Sequence, residues 1–91
     1  MVVYLAGPIE GIKDYKHIFN EHEDRLTKSG YLVLNPARLP DGMKRESYMP
    51  ICMALIDQSD TIALLPGWEN SKGVQVEIKY AEYQGKEIRC L

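Results

Sequence analysis

The sequence predicts an α/β fold: a four-stranded parallel sheet, strand order 2-1-3-4, in three layers with three helices on its two faces. Short apolar runs rich in β-branched residues alternate with longer stretches of helical spacing, so the elements run βαβαβαβ. Most changes of period fall on Gly, Pro or a short polar residue, as at Gly7-Pro8, Ser29-Gly30, Pro36, Pro66-Gly67 and Gly85. Right-handed crossovers between parallel strands then leave 2-1-3-4 as the order.

The 91 residues form one domain, 1–91, long enough for a core but short of the size at which a sheet is easily covered on both faces. A hydrophobic fraction of 45% and a charged fraction of 26%, without low-complexity tracts, are those of a soluble globular protein. The net charge of −2 gives no long-range attraction for nucleic acid, and the pair Lys44-Arg45 is too small to track a phosphate backbone, so the expected partner is a small molecule. The N-terminus runs directly into a strand without a basic n-region or a long apolar segment; the expectation is a cytoplasmic protein with no membrane association. Cys52 and Cys90 are too few and too far apart for a zinc site and have apolar neighbours, so both are expected as reduced core residues.

Val2 to Gly7 is a near-continuous apolar run and should be the central strand, since strands buried on both faces lack polar alternation. The turn Gly7-Pro8-Ile9-Glu10-Gly11 lets the backbone approach a ligand, but it lacks the Gly-Lys-Ser/Thr ending of a phosphate loop. A helix capped near Asp14 runs to about Lys28, with Tyr15, Ile18, Phe19, His22 and Leu26 on its apolar face and Glu21, Glu23, Asp24 and Arg25 largely opposite. His17 and His22 do not share a face, so the helical two-histidine metal arrangement is missing, and His22 is expected to pack. Tyr31 to Asn35 is the second strand, stopped by Pro36.

Ala37 to Glu46, with Pro40 and Asp41-Gly42, reads as a loop and as the expected mobile lid. Ser47 is expected to cap a second helix that holds Pro50 in its first turn and shows Met49, Met53 and Ile56, beside Cys52 and Leu55, on its apolar side. That helix ends within Asp57 to Asp60, where Asp60 is expected to cap or terminate structure. Thr61 to Leu65 is the third strand and Lys86 to Leu91 the fourth. With this order one helix covers one face alone, leaving part of it for a partner subunit.

The stretch after the third strand carries the chemistry. A helix starting at Asn70 or Ser71 and ended by Gly85 contains Gly73 in its first turn, which weakens it by roughly 1 kcal/mol relative to Ala. Four residues on, Glu77 shares that face and leans back over the bare turn, beside amides of Ser71, Lys72 and Gly73 that carry the positive end of the helix dipole. A carboxylate and an anion cradle thus share a pocket beyond the carboxyl ends of parallel strands, where ligands bind in such folds. Such a glutamate can abstract a proton, bind a cation or attack an electrophilic carbon. Metal binding is the weakest of these, because no His, Cys or second close acid completes a ligand set; no metal and no cofactor are expected. Attack at a sugar C1 fits best, as in retaining glycosidases. Trp68 is either a base-stacking residue or an aromatic that packs the loop down.

Tyr4-Leu5-Ala6-Gly7, the loop Pro66 to Gly73, and Glu77 followed by Tyr80-Ala81 resemble the nucleoside 2-deoxyribosyltransferase superfamily, and more closely a branch of short, mostly uncharacterised domains within it; the similarity spans nearly the whole chain. The resemblance implies a flavodoxin-like, Rossmann-like fold and a homodimer or higher homo-oligomer whose neighbouring subunit helps close the pocket. It implies Glu77 as the nucleophile on the sugar, Tyr4 as the residue that positions it, Ser71 as the holder of a 5′-phosphate, and Gly7, Pro8 and Ile9 as the loop lining sugar and base. Where active relatives carry an aspartate beside the nucleophile, eight residues before Asp60, this chain has Cys52; Asp57, the nearest acid along the chain, points elsewhere on the helix. The expected function is N-glycosidic bond cleavage or deoxyribosyl transfer on a nucleoside or nucleotide, with a 5′-monophosphate favoured. The alternatives are a nucleotide-binding module of the same fold without turnover, and a structural subunit.

Overall fold

The computed structural model describes residues 1–91, the side chain of Arg45 excepted. The strands are β1 (Val2–Ala6), β2 (Leu32–Leu34), β3 (Thr61–Leu64) and β4 (Glu87–Cys90); the helices are α1 (Tyr15–Lys28), α2 (Arg45–Asp57) and α3 (Lys72–Tyr83). All pairings are parallel and the sheet order is β2-β1-β3-β4. The predicted α/β architecture is therefore observed, with Tyr4 in register with Leu34 on one side and Ile62 on the other.

Strand alternation divides the core into two layers. Tyr4, Ala6, Ile62 and Leu64 face α2 and α3 and pack with Cys52, Ile56, Val74 and Ala81. Val3, Leu5, Ala63 and Leu65 face the other way and pack with Phe19 of α1 and with Ala37. Chain crossings are tied by the main chain: Asp60 donates to the Val2 carbonyl at 2.8 Å while its carboxylate accepts from the Val2 amide at 2.8 Å, so Asp60 terminates structure as expected. No helix among the described residues is long and apolar enough to cross a membrane.

Several local expectations change. Asp14 precedes α1 but lies at φ +60° and makes no side-chain cap; only its carbonyl accepts from the first turn, from His17 at 3.1 Å and Ile18 at 3.3 Å. Ile18 is 40% exposed, so the buried stripe of α1 centres on Phe19 and is narrower than the spacing suggests. Glu23 turns inward, accepting from Asn35 Nδ2 at 2.9 Å and from Arg38 Nε and Nη2 at 2.8 and 2.7 Å, which fastens α1 to the 3₁₀ turn Pro36–Arg38. The second helix begins at Arg45, without a capping side chain, so Ser47 does not cap it and Pro50 stands beyond the first turn. There the proline removes the bond that an amide would donate to the Glu46 carbonyl. Cys90 is exposed on the outer strand β4, a site with a neighbour on one side only, and is not a core residue.

The face of the sheet that α1 covers carries polar contacts over β3 and β4, where no helix of the described residues lies. Arg89 pairs with Glu87 at 3.1 Å and Thr61 donates to Glu87 at 2.9 Å, beside the exposed side chains of Met1 and Leu91.

Candidate active site

A cavity of about 690 Å³ opens beyond the carboxyl end of β1, walled by the segments that follow β1 and β2, by α2 and by the start of α3. Three elements meet at one end of it. Strand parity turns Tyr4 toward α2 and α3; the inward face of α3, marked by buried Val74 and Ala81, carries Glu77; and α2 brings in Cys52. The Tyr4 hydroxyl donates to Glu77 Oε2 at 2.6 Å, with Tyr4 1% and Glu77 7% exposed. Among the described residues no cation pairs with Glu77.

A carboxylate taken out of water without a cation favours its neutral form. Burial pushes the Glu77 carboxyl from its ordinary 4.5 up to about 6, and hydrogen bonding from Tyr4 and then Cys52 restrains the rise. The same environment holds the Tyr4 phenol well above its usual range, through burial first and the Glu77 charge second. Burial pushes the Cys52 thiol up to about 11, with Tyr4 opposing and the Glu77 charge adding. Buried acids shifted in this direction inside a cleft make candidates for acid–base or nucleophilic chemistry.

The start of α3 forms one rim. Ser71 is its N-cap and accepts from the Val74 amide at 3.3 Å, while Asn70, Ser71, Lys72 and Gly73 line the cavity. A Cβ on Gly73 would meet nothing closer than Ser71 Oγ at 3.9 Å, so the room above this turn is not filled by protein. Gly7, Pro8 and Ile9 line the opposite side. Gly7 has its own packing reason, because a Cβ there would stand 2.9 Å from Leu65 side-chain atoms. Trp68 is placed elsewhere: it packs, half-buried, against the α2–α3 side of the core and does not line the cavity, so of its two roles the structure favours packing. Asp57 is likewise turned away, accepting from Tyr80 at 2.7 Å and Gln84 at 3.1 Å.

The remaining wall comes from residues that the sequence did not single out: Tyr15, Leu39, Met43 and Tyr48. The spacing of Tyr48, Met49 and Cys52 on one side of α2 is the available signal. The segment 39–44 is tied down at two points. Tyr48 donates to the Pro40 carbonyl at 2.6 Å and accepts from the Met43 amide at 3.3 Å, and Asp41 accepts from Tyr15 at 2.8 Å and pairs with Lys16 at 3.3 Å. Among the described residues no three His, Cys, Asp or Glu side chains converge as a metal site.

Three comparisons bear on this geometry. The family described as "Domain of unknown function (DUF4406)" matches residues 1–90. A 2-desoxiribosyltransferase from Leishmania mexicana superposes with a TM-score of 0.79 at 18% identity, over 99% of this chain and 63% of its own. The Clostridium botulinum CMP N-glycosidase BcmB superposes with a TM-score of 0.74 at 26% identity, over 99% of this chain and 70% of its own. The chain thus spans under two thirds of the length of the first of these structures. No curated protein matches it.

Proposed function

The chain belongs to the DUF4406 family, and from the geometry of its site we propose that it cleaves the N-glycosidic bond of a nucleoside 5′-monophosphate, by hydrolysis or by transfer, with Glu77 as nucleophile. The observation that carries this reading is the Tyr4–Glu77 pair: a buried acid held at 2.6 Å by a single neutral donor at the end of a ligand-sized cavity. Solved structures that share the fold are described as a 2-desoxiribosyltransferase and a CMP N-glycosidase, which supports the substrate class.

In the first displacement the ionised Glu77 oxygen bonds to C1′ while the bond from C1′ to the base nitrogen breaks; its electron pair leaves with the base, which takes a proton from solvent. In the second, water attacks C1′, releases a proton, and the carboxylate departs, so the configuration is retained. A second base in place of water gives transfer. Tyr4 aims the carboxylate. The Lys72 and Gly73 amides and the Ser71 hydroxyl take the phosphate, since a neutral cap at a helix start suits a dianion; the Ser71 amide is already spent on the Trp68 carbonyl at 3.1 Å. Gly7, Pro8 and Ile9 line the sugar and base. Glu77→Gln should abolish base release, read by chromatography over a panel of nucleosides and monophosphates, while ligand-induced melting shifts persist. Turnover near wild type in that variant sinks the mechanism.

One observation favours a nucleotide-binding module without turnover: Cys52 lines the cavity with Glu77 at the position where the resemblance implies an aspartate. Melting shifts without base release at excess protein would select it. In either case we read the half-covered α1 face as the seat of a second copy of the chain, acting in the cytoplasm; elution as a stable monomer at micromolar concentration contradicts that assembly.

A further inference from the structure

We propose that Tyr15, Leu39, Met43, Tyr48 and Met49 form a wall that holds a nucleobase by its flat face and keeps no donor to read its edge, so that the site takes nucleotides of several bases. This rests on, and deepens, the reading of the cavity as a nucleotide site.

The place of the wall follows from what the other sides are used for. In the proposed reaction the start of α3 takes the phosphate and Glu77 meets C1′, which leaves for the base the part of the lining that belongs to neither. On α2, Tyr48 and Met49 stand one turn back from Cys52, which packs in the cluster that holds Tyr4, and Tyr15, Leu39 and Met43 join them from α1 and from the segment between β2 and α2. All five are half-buried, so they are neither core nor open surface. A largely apolar lining with two aromatic rings suits a planar π-system.

A count of protons shows what this wall can recognise. A tyrosine hydroxyl has one proton to give. Tyr48 gives its proton to the Pro40 carbonyl at 2.6 Å and accepts from the Met43 amide at 3.3 Å, and Tyr15 gives its proton to Asp41 at 2.8 Å. The Leu39 amide donates to the Pro36 carbonyl at 3.1 Å. The side chains of Leu39, Met43 and Met49 carry no N–H or O–H. The two hydroxyls and the two loop amides are thus spent on the protein itself, and the wall presents ring surface, methyl groups and thioethers.

Tyr15 is braced edge-to-face on buried Phe19, ring centroids 6.3 Å apart, and Tyr48 is fixed by its two hydrogen bonds. The rings are therefore set in place, while the unbranched methionines adapt to bases of different outline. The polar lining groups belong to other sides: Asn70, Ser71 and Lys72 to the start of α3, and Glu10, exposed, to the loop after β1. Stacking on a ring is open to every base, whereas a site whose buried donors match one edge rejects a mismatched base by leaving them unpaired.

The test is isothermal titration calorimetry on the intact chain carrying Glu77→Gln, which prevents turnover. The probes are the 5-phosphates of ribose and 2-deoxyribose, and the 5′-monophosphates of cytidine, uridine, adenosine and inosine in both sugar forms. Cytidine and uridine differ only at the base edge, as do adenosine and inosine. Each pair should bind within about fivefold, and all four nucleotides about tenfold or more tighter than the sugar phosphate. Tyr48→Phe and Tyr48→Ala, added to the same chain and checked for folding by circular dichroism, lose the same hydroxyl ties to segment 39–44 and differ in the ring. Tyr48→Ala should bind every nucleotide about tenfold more weakly than Tyr48→Phe, with equal affinity for the sugar phosphates; Tyr48→Leu replaces it if it does not fold. A preference beyond about tenfold within either pair would overturn the proposal, as would nucleotides that bind no better than the sugar phosphates, or equal nucleotide affinities with and without the ring. Failure of every probe to bind would remove the nucleotide reading along with it. Because binding needs no turnover, base-tolerant and ring-dependent affinities in a protein whose wild type releases no base uphold the wall while refuting the glycosidic reaction.

Discussion

Glu77→Gln should stabilise the protein at neutral pH, and by an amount that depends on pH. The folded-state pKa of about 6 lies above the ordinary 4.5. Between those values the folded chain keeps a proton that the unfolded chain has released, so stability falls as pH rises through that window and is lowest above it. At 1.36 kcal/mol for each factor of ten, ionising Glu77 in place costs about 2 kcal/mol above pH 6. Glutamine has the same shape, still accepts from Tyr4, and never ionises. It also brings two amide protons to a place where Tyr4 already donates, which returns part of the gain, so roughly 1–2 kcal/mol remains. For a chain of this size that is a rise in Tm of roughly 4–16 °C at pH 7.5. Thermal melts of wild type and Glu77→Gln from pH 4 to 8 should show the difference fade below pH 4.5, where Glu77 is protonated in both states. An unchanged or lower Tm at pH 7.5, or a gain that is the same at pH 4, refutes the assignment of Glu77 as an uncompensated buried acid.

The rate of base release should climb through about pH 6 and then stay level to at least pH 9, because Cys52 and Tyr4 lose their protons only at higher pH; an alkaline limb below pH 9 would require an acid other than these. Ser71→Ala removes a charge-assisted hydrogen bond, so affinity for a monophosphate should drop about tenfold while affinity for the matching nucleoside stays nearly constant, as isothermal titration of both ligands would show. Asp41→Ala cuts segment 39–44 loose from Tyr15 and Lys16, and should raise KM more than it lowers kcat; equal kinetics in the variant would mean that this tether does not shape the cavity.

The sequence was most legible where one local signal decides the outcome. The alternation of apolar runs with helical spacing, together with crossover handedness, determined the sheet order. Ser71 and Gly85 bracket α3 through capping and a positive φ, and the phase of Val74 and Ala81 turned Glu77 inward. Legibility failed where a distant partner decides. Glu23 reads as one more charge on a solvated face, and only Asn35 and Arg38, brought alongside by the turn after β2, draw it inward. The start of α2 is set by a loop whose shape depends on Tyr48 reaching back to Pro40, so no side chain at the helix end announces it. Spacing alone made Cys52 legible as buried, and only the resemblance set it near Glu77, because that proximity joins β1, α2 and α3.

What separates Glu77 from a structural residue is the direction of its effect on the fold. A glutamine in the same position would satisfy Tyr4, fill the same volume and leave no charge to desolvate. A buried acid that weakens the native state across the neutral range is what the proposed use of its ionised form requires. The surroundings are graded to the same end. The Tyr4 hydroxyl donates to the carboxylate at 2.6 Å and restrains the rise of its pKa, while no ion pair among the described residues quenches its charge. A cation at that place would lower the pKa further but would also bind the oxygen that the proposed reaction brings to C1′. In the reaction proposed above, one neutral donor, Tyr4, leaves the carboxylate both ionisable and free to attack.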